Sequence, residues 1–281
     1  MASDGARPRR TPAGPTDALA GIGLHSGAET TVRLRPAPPG AGLVFRDAQS
    51  GQEIPALAAN VSDTSRCTIV SGNGVSVQTV EHLLSALAAL GVDDAVIEIS
   101  GGEMPAGDGS AAPFVALIQS VGLRDQDGPP MEPLVLTRPY LLEGENGSSV
   151  VALPASSFRA TVVLDYPGHP WIGTQVVTFD AGEGDYAADI APARTFGFLR
   201  EIDWLQSRGL ALGASRDNGI ALREDGYDTP LRFPDEMARH KLLDLIGDLA
   251  LVGRPVQAHF FAIKPSHALN TRLARRLADD P

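Results

Sequence analysis

The stretch ARHKLLDLIGDLALVG, residues 238–253, reads as a leucine-rich helix along which His240, Asp244 and Asp248 recur every four positions. Residues four apart share one face of an α-helix, their Cβ atoms about 5–6 Å apart. Leu242, Leu243, Leu245, Ile246, Leu249 and Ala250 cover most of the remaining circumference. A helix apolar on nearly every side is buried, so the polar stripe is kept from bulk water. Buried charge without a partner is expensive. Either a structural His–Asp hydrogen bond within the helix or a metal ion held by His240 and Asp244 relieves that cost, and this helix alone leaves both open.

A second apolar helix is expected in VQTVEHLLSALAAL, residues 77–90, ended by Gly91 and followed by the strand AVIEIS, 95–100. From His82 nine residues lead to Gly91 and a strand; from Asp244 nine lead to Gly253 and the strand VQAHFFAI, 256–263. Aligning the two glycines superposes SALAALG on GDLALVG, which suggests a duplicated helix–Gly–strand module. A pseudo-twofold pairing of the copies sets the helices side by side and brings Glu81–His82 to His240–Asp244. A His–His–Asp set leaves one position open for water, the pattern of catalytic rather than structural zinc. Glu81 is then the candidate general base; read alone, a Glu–His pair on a helix is a surface pair. His267, in KPSHALN between a strand and the last helix, is a candidate general acid or, on the bland reading, a solvated helix-start residue. His259 alternates with apolar residues and reads as packed or solvent-facing, and His169 in YPGHPW as a turn residue.

Outward from these helices the chain mixes strands and helices without steady βαβ alternation, which favours an α+β fold. GDGSAAPFVALIQSVG (107–122) reads as a helix with Asp108 as N-cap, and ARTFGFLREIDWLQSRG (193–209) as a long helical segment. RDQDGPPMEP (124–133) is charged, rich in Gly and Pro and aperiodic, which makes it the expected linker. We therefore expect a mobile N-terminal arm over 1–18, an α+β domain over 19–126 and a second over 133–281.

Of 281 residues, 43% are hydrophobic and 20% charged, as in a folded protein of one large or two ordinary domains. A formal net charge of −11 argues against nucleic acid as the main partner and leaves room for one local basic pocket binding a small phosphate-bearing molecule. No apolar run approaches the ~20 residues that span a bilayer. The N-terminus lacks the apolar core of a secretory signal. A single cysteine, Cys67, excludes an internal disulfide and fits a cytoplasmic location.

Six motifs in order resemble the UDP-3-O-acyl-N-acetylglucosamine deacetylase family: GIGLHSG, TVEHLLSALAALGVDDA, EMPAGDGSAAPFVALIQSVG, ARTFGFLREIDWLQSRGLALG, RHKLLDLIGD and HALN. The resemblance spans residues 20–278. It implies two α+β domains of related topology, each a small sheet with helices, packed helix layer against helix layer. It also implies a zinc hydrolase of lipid A synthesis that removes the acetyl group from acylated UDP-N-acetylglucosamine. By motif, His82, His240 and Asp244 are the expected zinc ligands, with iron(II) the alternative metal. Glu81 is the expected base that activates water at the metal, His267 the acid protonating the leaving amine, and Asp248 the residue that orients His267. Thr195 is expected to polarise the amide carbonyl and Lys241 to contact the polar part of the substrate. Phe196 and Phe198 are expected to line the cleft, Leu210 and Ser215 the acyl passage, and Cys67 and His25 the mouth of the metal site. A monomer that touches a membrane surface at most transiently is expected.

The chain departs from the family pattern at two places that matter. Lys-Pro-Ser-His replaces the family's Lys-Ser-Gly-His at 264–267, and Pro265 fixes φ while Ser266 forfeits the freedom of glycine, which points to a repositioned loop under His267. The segment REDGYDTPLRFPDEM is shortened beside the expected acyl passage. It motivates a second reading, a deacetylase of another N-acetylated sugar or nucleotide without a long acyl chain. A non-catalytic nucleotide-sugar-binding relative is a third reading, and a binding module has no need of an open metal site with its proton-transfer groups.

Overall fold

The computed structural model describes residues 5–279. Six α-helices run through it: α1 (Glu81–Leu90), α2 (Ala112–Val121), α3 (Tyr186–Asp189), α4 (Ile202–Gln206), α5 (Glu236–Ala250) and α6 (His267–Asp279). The fold is α+β, with each half of the chain building its own main sheet.

The first-half sheet runs Leu19–Ile22, Glu29–Pro36, Ala95–Ser100, Leu43–Asp47, Glu53–Pro55. Its neighbours pair antiparallel, antiparallel, parallel, antiparallel. The second-half sheet runs Tyr140–Glu143, Ser149–Pro154, Val256–Ile263, Arg159–Tyr166, Gly173–Asp180, with the same sequence of orientations. In each sheet the central strand directly follows the glycine-terminated helix, α1 or α5, so the helix–Gly–strand echo is the middle of a repeated unit. The short strand Leu134–Val135 adds to the second sheet parallel to Val256–Ile263.

The central strands alternate buried with half-buried or exposed residues: Ala95, Ile97 and Ile99 in one, and Val256, Ala258, Phe260 and Ala262 in the other, all turn to the core. Each chain reversal after the helix uses a left-handed residue, Gly91 at φ 71° and Gly253 at φ 84°. Helices α1 and α5 pack against each other. At their crossing Gly247 is obligatory, because a Cβ there would overlap the carbonyl oxygen of Glu81. That one missing methyl lets the two polar stripes meet.

The segment expected as a mobile arm over 1–18 is instead built into the fold from residue 5 on; its first four residues lie outside the described ones. Strand Arg10–Pro12 pairs antiparallel with Leu123–Asp125. Arg7 forms two hydrogen bonds to Asp93 (2.6 and 2.9 Å), and Arg9 two to Asp94 (2.6 and 2.8 Å). Asp93 and Asp94 are buried in the turn after α1, and buried carboxylates need such partners. Met131, inside the expected linker, is buried and bridges Arg7 through the backbone.

Two local expectations are corrected. Residues 193–209 are not one helix: Phe196–Phe198 is a strand parallel to Ile220–Leu222, followed by a 3₁₀ turn and the five-residue α4. Thr195, Gly197 and the flanking phenylalanines disfavour helix there, and the parallel pairing supplies the backbone bonds. Asp108 does not cap α2. Its Oδ1 accepts from Ser110 N–H and Oγ–H, its Oδ2 pairs with Arg232 at 2.8 Å, and Ser110 Oγ accepts from Ala112 N–H.

Candidate active site

Helix α5 presents His240, Asp244 and Asp248 toward α1, whose first turn carries Glu81 and His82. All five side chains are buried. His240 Nε2 lies 3.4 Å from Asp244 Oδ1, and His82 Nε2 lies 3.7 Å from the same oxygen. One ligand atom from each of His82, His240 and Asp244 falls within 4.8 Å of the others. The two imidazole rings meet edge to face, centroids 4.9 Å apart.

Three observations fit this trio to a metal ion. Asp244 Oδ1 is buried and has no hydrogen-bond partner, an orphan that a cation would satisfy. His240 Nδ1 sits 3.1 Å from the carbonyl of Ala193; as donor there it leaves Nε2 with a free lone pair. Burial, with the other histidine adding, pushes His82 down to about 3, and burial also lowers His240, so both are the neutral imidazoles that metals bind.

Glu81 Oε2 accepts from the backbone N–H of Thr68 at 3.0 Å, and Oε1 lies 3.7 Å from His267 Nε2. Burial raises the Glu81 carboxyl to about 7; nearby His267 opposes the rise, and Asp248 and Asp244 add to it. Burial on its own would depress His267, yet Asp248 and Glu81 outweigh it and hold the imidazolium at about 9. A carboxyl that titrates near neutrality thus faces an imidazolium that stays protonated above it.

Asp248 contributes most to holding that imidazolium charged. Its Oδ2 lies 3.0 Å from His267 Nδ1 and accepts from Asn270 Nδ2 at 3.0 Å, while Oδ1 accepts from Thr68 Oγ at 2.6 Å. Thr68 and Asn270 went unnoticed in the sequence. The signal for Asn270 was its place three residues after His267, one turn along α6; Thr68 had none beyond following Cys67. With Pro265 and Ser266 in place of the family's serine and glycine, His267 still sits on Asp248. Lys264 takes the left-handed conformation (φ 48°), and Ser266 Oγ accepts from Leu269 N–H, capping α6.

The remaining expected residues divide. Lys241 Nζ donates to Asp244 Oδ2 at 2.8 Å and lies 5.7 Å from the Phe196 ring centroid. Phe196 is itself 6.2 Å from the His240 ring. Phe198 joins Tyr166 and His169 (centroids 5.9 and 4.8 Å), an aromatic wall continued by Trp171, so His169 is more than a turn residue. Thr195 is half-buried; its N–H donates to Gly109 and its carbonyl accepts from Ile220 N–H, fixing it two residues beyond Ala193. His25 is buried, its Nδ1 accepts from Ala211 N–H at 3.3 Å, and its backbone N–H donates to Glu103. It thereby ties the loop after α4, including Leu210, to the first half.

Cys67 borders the polar cluster beside Glu81, whereas Ser215 sits in an exposed turn. Cys67 is 1% exposed, and burial with Glu81 nearby raises its thiol far above the usual range, so it is a neutral packing residue. Ser215 is exposed, and its hydroxyl accepts from Asp217 N–H in a turn. Among the described residues, no helix is long and apolar enough to cross a membrane.

Comparison with known proteins gives the family. A family model described as UDP-3-O-acyl N-acetylglycosamine deacetylase matches residues 13–279. A UDP-3-O-acyl-N-acetylglucosamine deacetylase of Myxococcus xanthus is 48% identical over 268 residues, covering 94% of this chain and 84% of that protein. Proteins of the same name from Syntrophotalea carbinolica and Pseudomonas entomophila are each 42% identical, covering 92% of this chain and 84% and 86% of their own lengths. With the match running nearly end to end, the chain belongs to the UDP-3-O-acyl N-acetylglycosamine deacetylase family.

Proposed function

We propose that this protein is a zinc-dependent amidohydrolase that converts UDP-3-O-acyl-N-acetylglucosamine and water to the free amine and acetate. The observation that carries the reading is the buried convergence of His82, His240 and Asp244 next to the Glu81–His267 pair. The zinc would be held by His82, His240 and Asp244 and, when bound, supplies Lewis-acid chemistry, acidifying water and polarising a carbonyl.

The chain's own groups supply the proton transfers. Glu81 Oε1 takes a proton from the attacking water as its oxygen adds to the acetyl carbon. The Thr195 hydroxyl and the Lys241 ammonium stabilise negative charge that develops on the carbonyl oxygen. His267 gives its Nε2 proton to the amine nitrogen as the C–N bond breaks, and Asp248 on Nδ1 keeps the imidazole charged and oriented until then. Thr68 and Asn270 hold Asp248 for that task. The aromatic surface of Phe196 and Phe198 receives the apolar body of the substrate, and the loop containing Leu210 and Ser215 borders its acyl chain.

Turnover of UDP-N-acetylglucosamine with and without the 3-O-acyl chain tests the substrate. This reading expects strong preference for the acylated sugar. Preference for the unacylated sugar overturns it in favour of a deacetylase of short N-acetylated sugars.

A further inference from the structure

We propose that the cavity at the C-terminal end of α1 is a second ligand site, taking one unbranched acyl chain that ends in an anionic head. The cavity measures about 670 Å³, well inside the range of small-molecule sites. It lies between the two halves of the chain, with Leu43 and Leu57 from the first half and Phe158, Phe179 and Leu249 from the second among its walls. None of Glu81, His82, His240, Asp244, Asp248 or His267 lines it. Ten-residue α1 is about 15 Å long, and Glu81 stands at its other end.

Helix α1 changes character along its length. Residues 81–87 are buried, whereas Ala88 and Ala89 are exposed and face this space. Two alanines and the neighbouring apolar walls leave room for a chain and offer it no hydrogen bond. Three guanidinium groups stand at the cavity, those of Arg7, Arg10 and Arg254, against the carboxylates of Asp93 and Asp185. Asp93 is occupied by both terminal nitrogens of Arg7, and Asp185 accepts from Ala187 and Ala188 N–H at the start of α3. Arg10 spends its side chain on the carbonyls of Leu90 and Gly91, and no carboxylate pairs with it among the described residues. Burial lowers its pKa and neighbouring Arg7 adds to the effect; Asp93 and Asp125 oppose it from nearby, though neither forms an ion pair with its guanidinium. Arg254 is exposed and has neither a hydrogen bond nor an ion pair among the described residues. In a chain of net charge −11, this local cationic surplus beside an apolar cavity selects an anionic amphiphile. Free fatty acids and single-chain lipid phosphates share that chemistry.

The site is independent of the deacetylase reading, and calorimetric titration of the full chain tests it. The probes are octanoate, dodecanoate, dodecyl phosphate and neutral dodecanol, each kept below its micellar concentration. One equivalent should bind at this cavity, apart from any held in the acyl passage, with affinity rising up to about fourfold per methylene from octanoate to dodecanoate. Dodecanol should bind at least tenfold more weakly than dodecanoate. A stronger signal for dodecyl phosphate points to a lipid phosphate as the natural occupant, and a stronger signal for dodecanoate to a fatty acid. Ala89→Trp fills the cavity and should cost at least tenfold in affinity while leaving deacetylation unchanged. Arg254→Glu should abolish the preference for the anion over the alcohol. Ala88→Phe serves as a second filling variant, and thermal melting checks that each variant folds. The proposal is overturned if no probe binds, or if dodecanoate binds folded Ala89→Trp and Ala88→Phe as it binds the wild type, for the chain then sits elsewhere.

Discussion

His267 Nδ1 and Asp248 Oδ2 stand 3.0 Å apart in a buried pair that joins α6 to α5. The carboxylate fixes which ring nitrogen faces the carboxylate and which faces Glu81, and its charge, ahead of that of Glu81, holds the imidazolium up at about 9. Everything proposed for the leaving-group proton depends on that pair.

Asp248→Asn keeps a hydrogen-bonding side chain and removes the charge. The expected loss is about 100-fold in kcat, at the lower end of general-acid contributions, with KM changed little. Because Asp248 raises the His267 pKa, its removal lowers that value, and the alkaline limb of the kcat profile moves to lower pH. Thr68→Ala and Asn270→Ala should shift the limb in the same direction by less. An unchanged limb in Asp248→Asn refutes the assignment of His267 as acid.

Glu81→Gln preserves shape and removes the base. Initial-rate measurements should show kcat reduced by about 10² to 10⁴ while metal content, measured by elemental analysis, stays at the wild-type level. Wild-type turnover in a metal-loaded variant assigns the base elsewhere.

Gly247→Ala inserts a methyl where α1 and α5 touch, against the carbonyl of Glu81. Overpacking of this kind costs about 1–3 kcal/mol. A lower denaturation midpoint should come with a fall in kcat, because the backbone that must move carries Glu81, the proposed base. Unaltered stability contradicts the close helix crossing.

Arg194 and Glu236 give a pH-dependent contribution to stability away from the site. Burial alone would raise the Glu236 carboxyl; the Arg194 side chain, with the Arg232 and Arg194 N–H groups, overcomes it and holds the value below 4.5. A depressed carboxyl stabilises the fold above its unfolded pKa and loses that stabilisation as pH falls through the folded one. Glu236→Gln should therefore cost about 3 kcal/mol at neutral pH, and the gap in Tm between wild type and variant should shrink below about pH 4.5. A gap constant with pH excludes this ion pair as its source.

The convergence of His82, His240 and Asp244 was readable in the sequence because two strong regularities coincided, the four-residue polar period in an apolar helix and the spacing of His82 and Asp244 from Gly91 and Gly253. Thr68 and Asn270 were not, since single hydroxyl and amide groups carry no period and acquire meaning only when tertiary packing sets them on Asp248. The arm failed for a related reason: nothing local announced that Asp93 and Asp94 would be buried beneath Arg7 and Arg9. At 193–209, a run of helix-forming residues after Phe198 masked a strand whose partner, Ile220–Leu222, lies over twenty residues away. Repetition of sheet order in the two halves was visible only at the helix–Gly–strand centre, where packing tolerates least change.

The central claim is that amide hydrolysis depends on one metal ion held by His82, His240 and Asp244. Its most direct test is acetate release from UDP-3-O-acyl-N-acetylglucosamine by chelator-stripped protein as zinc is added back. The account predicts negligible release without metal and a rise that reaches its maximum at one equivalent per chain. Undiminished release from the fully stripped protein would contradict it.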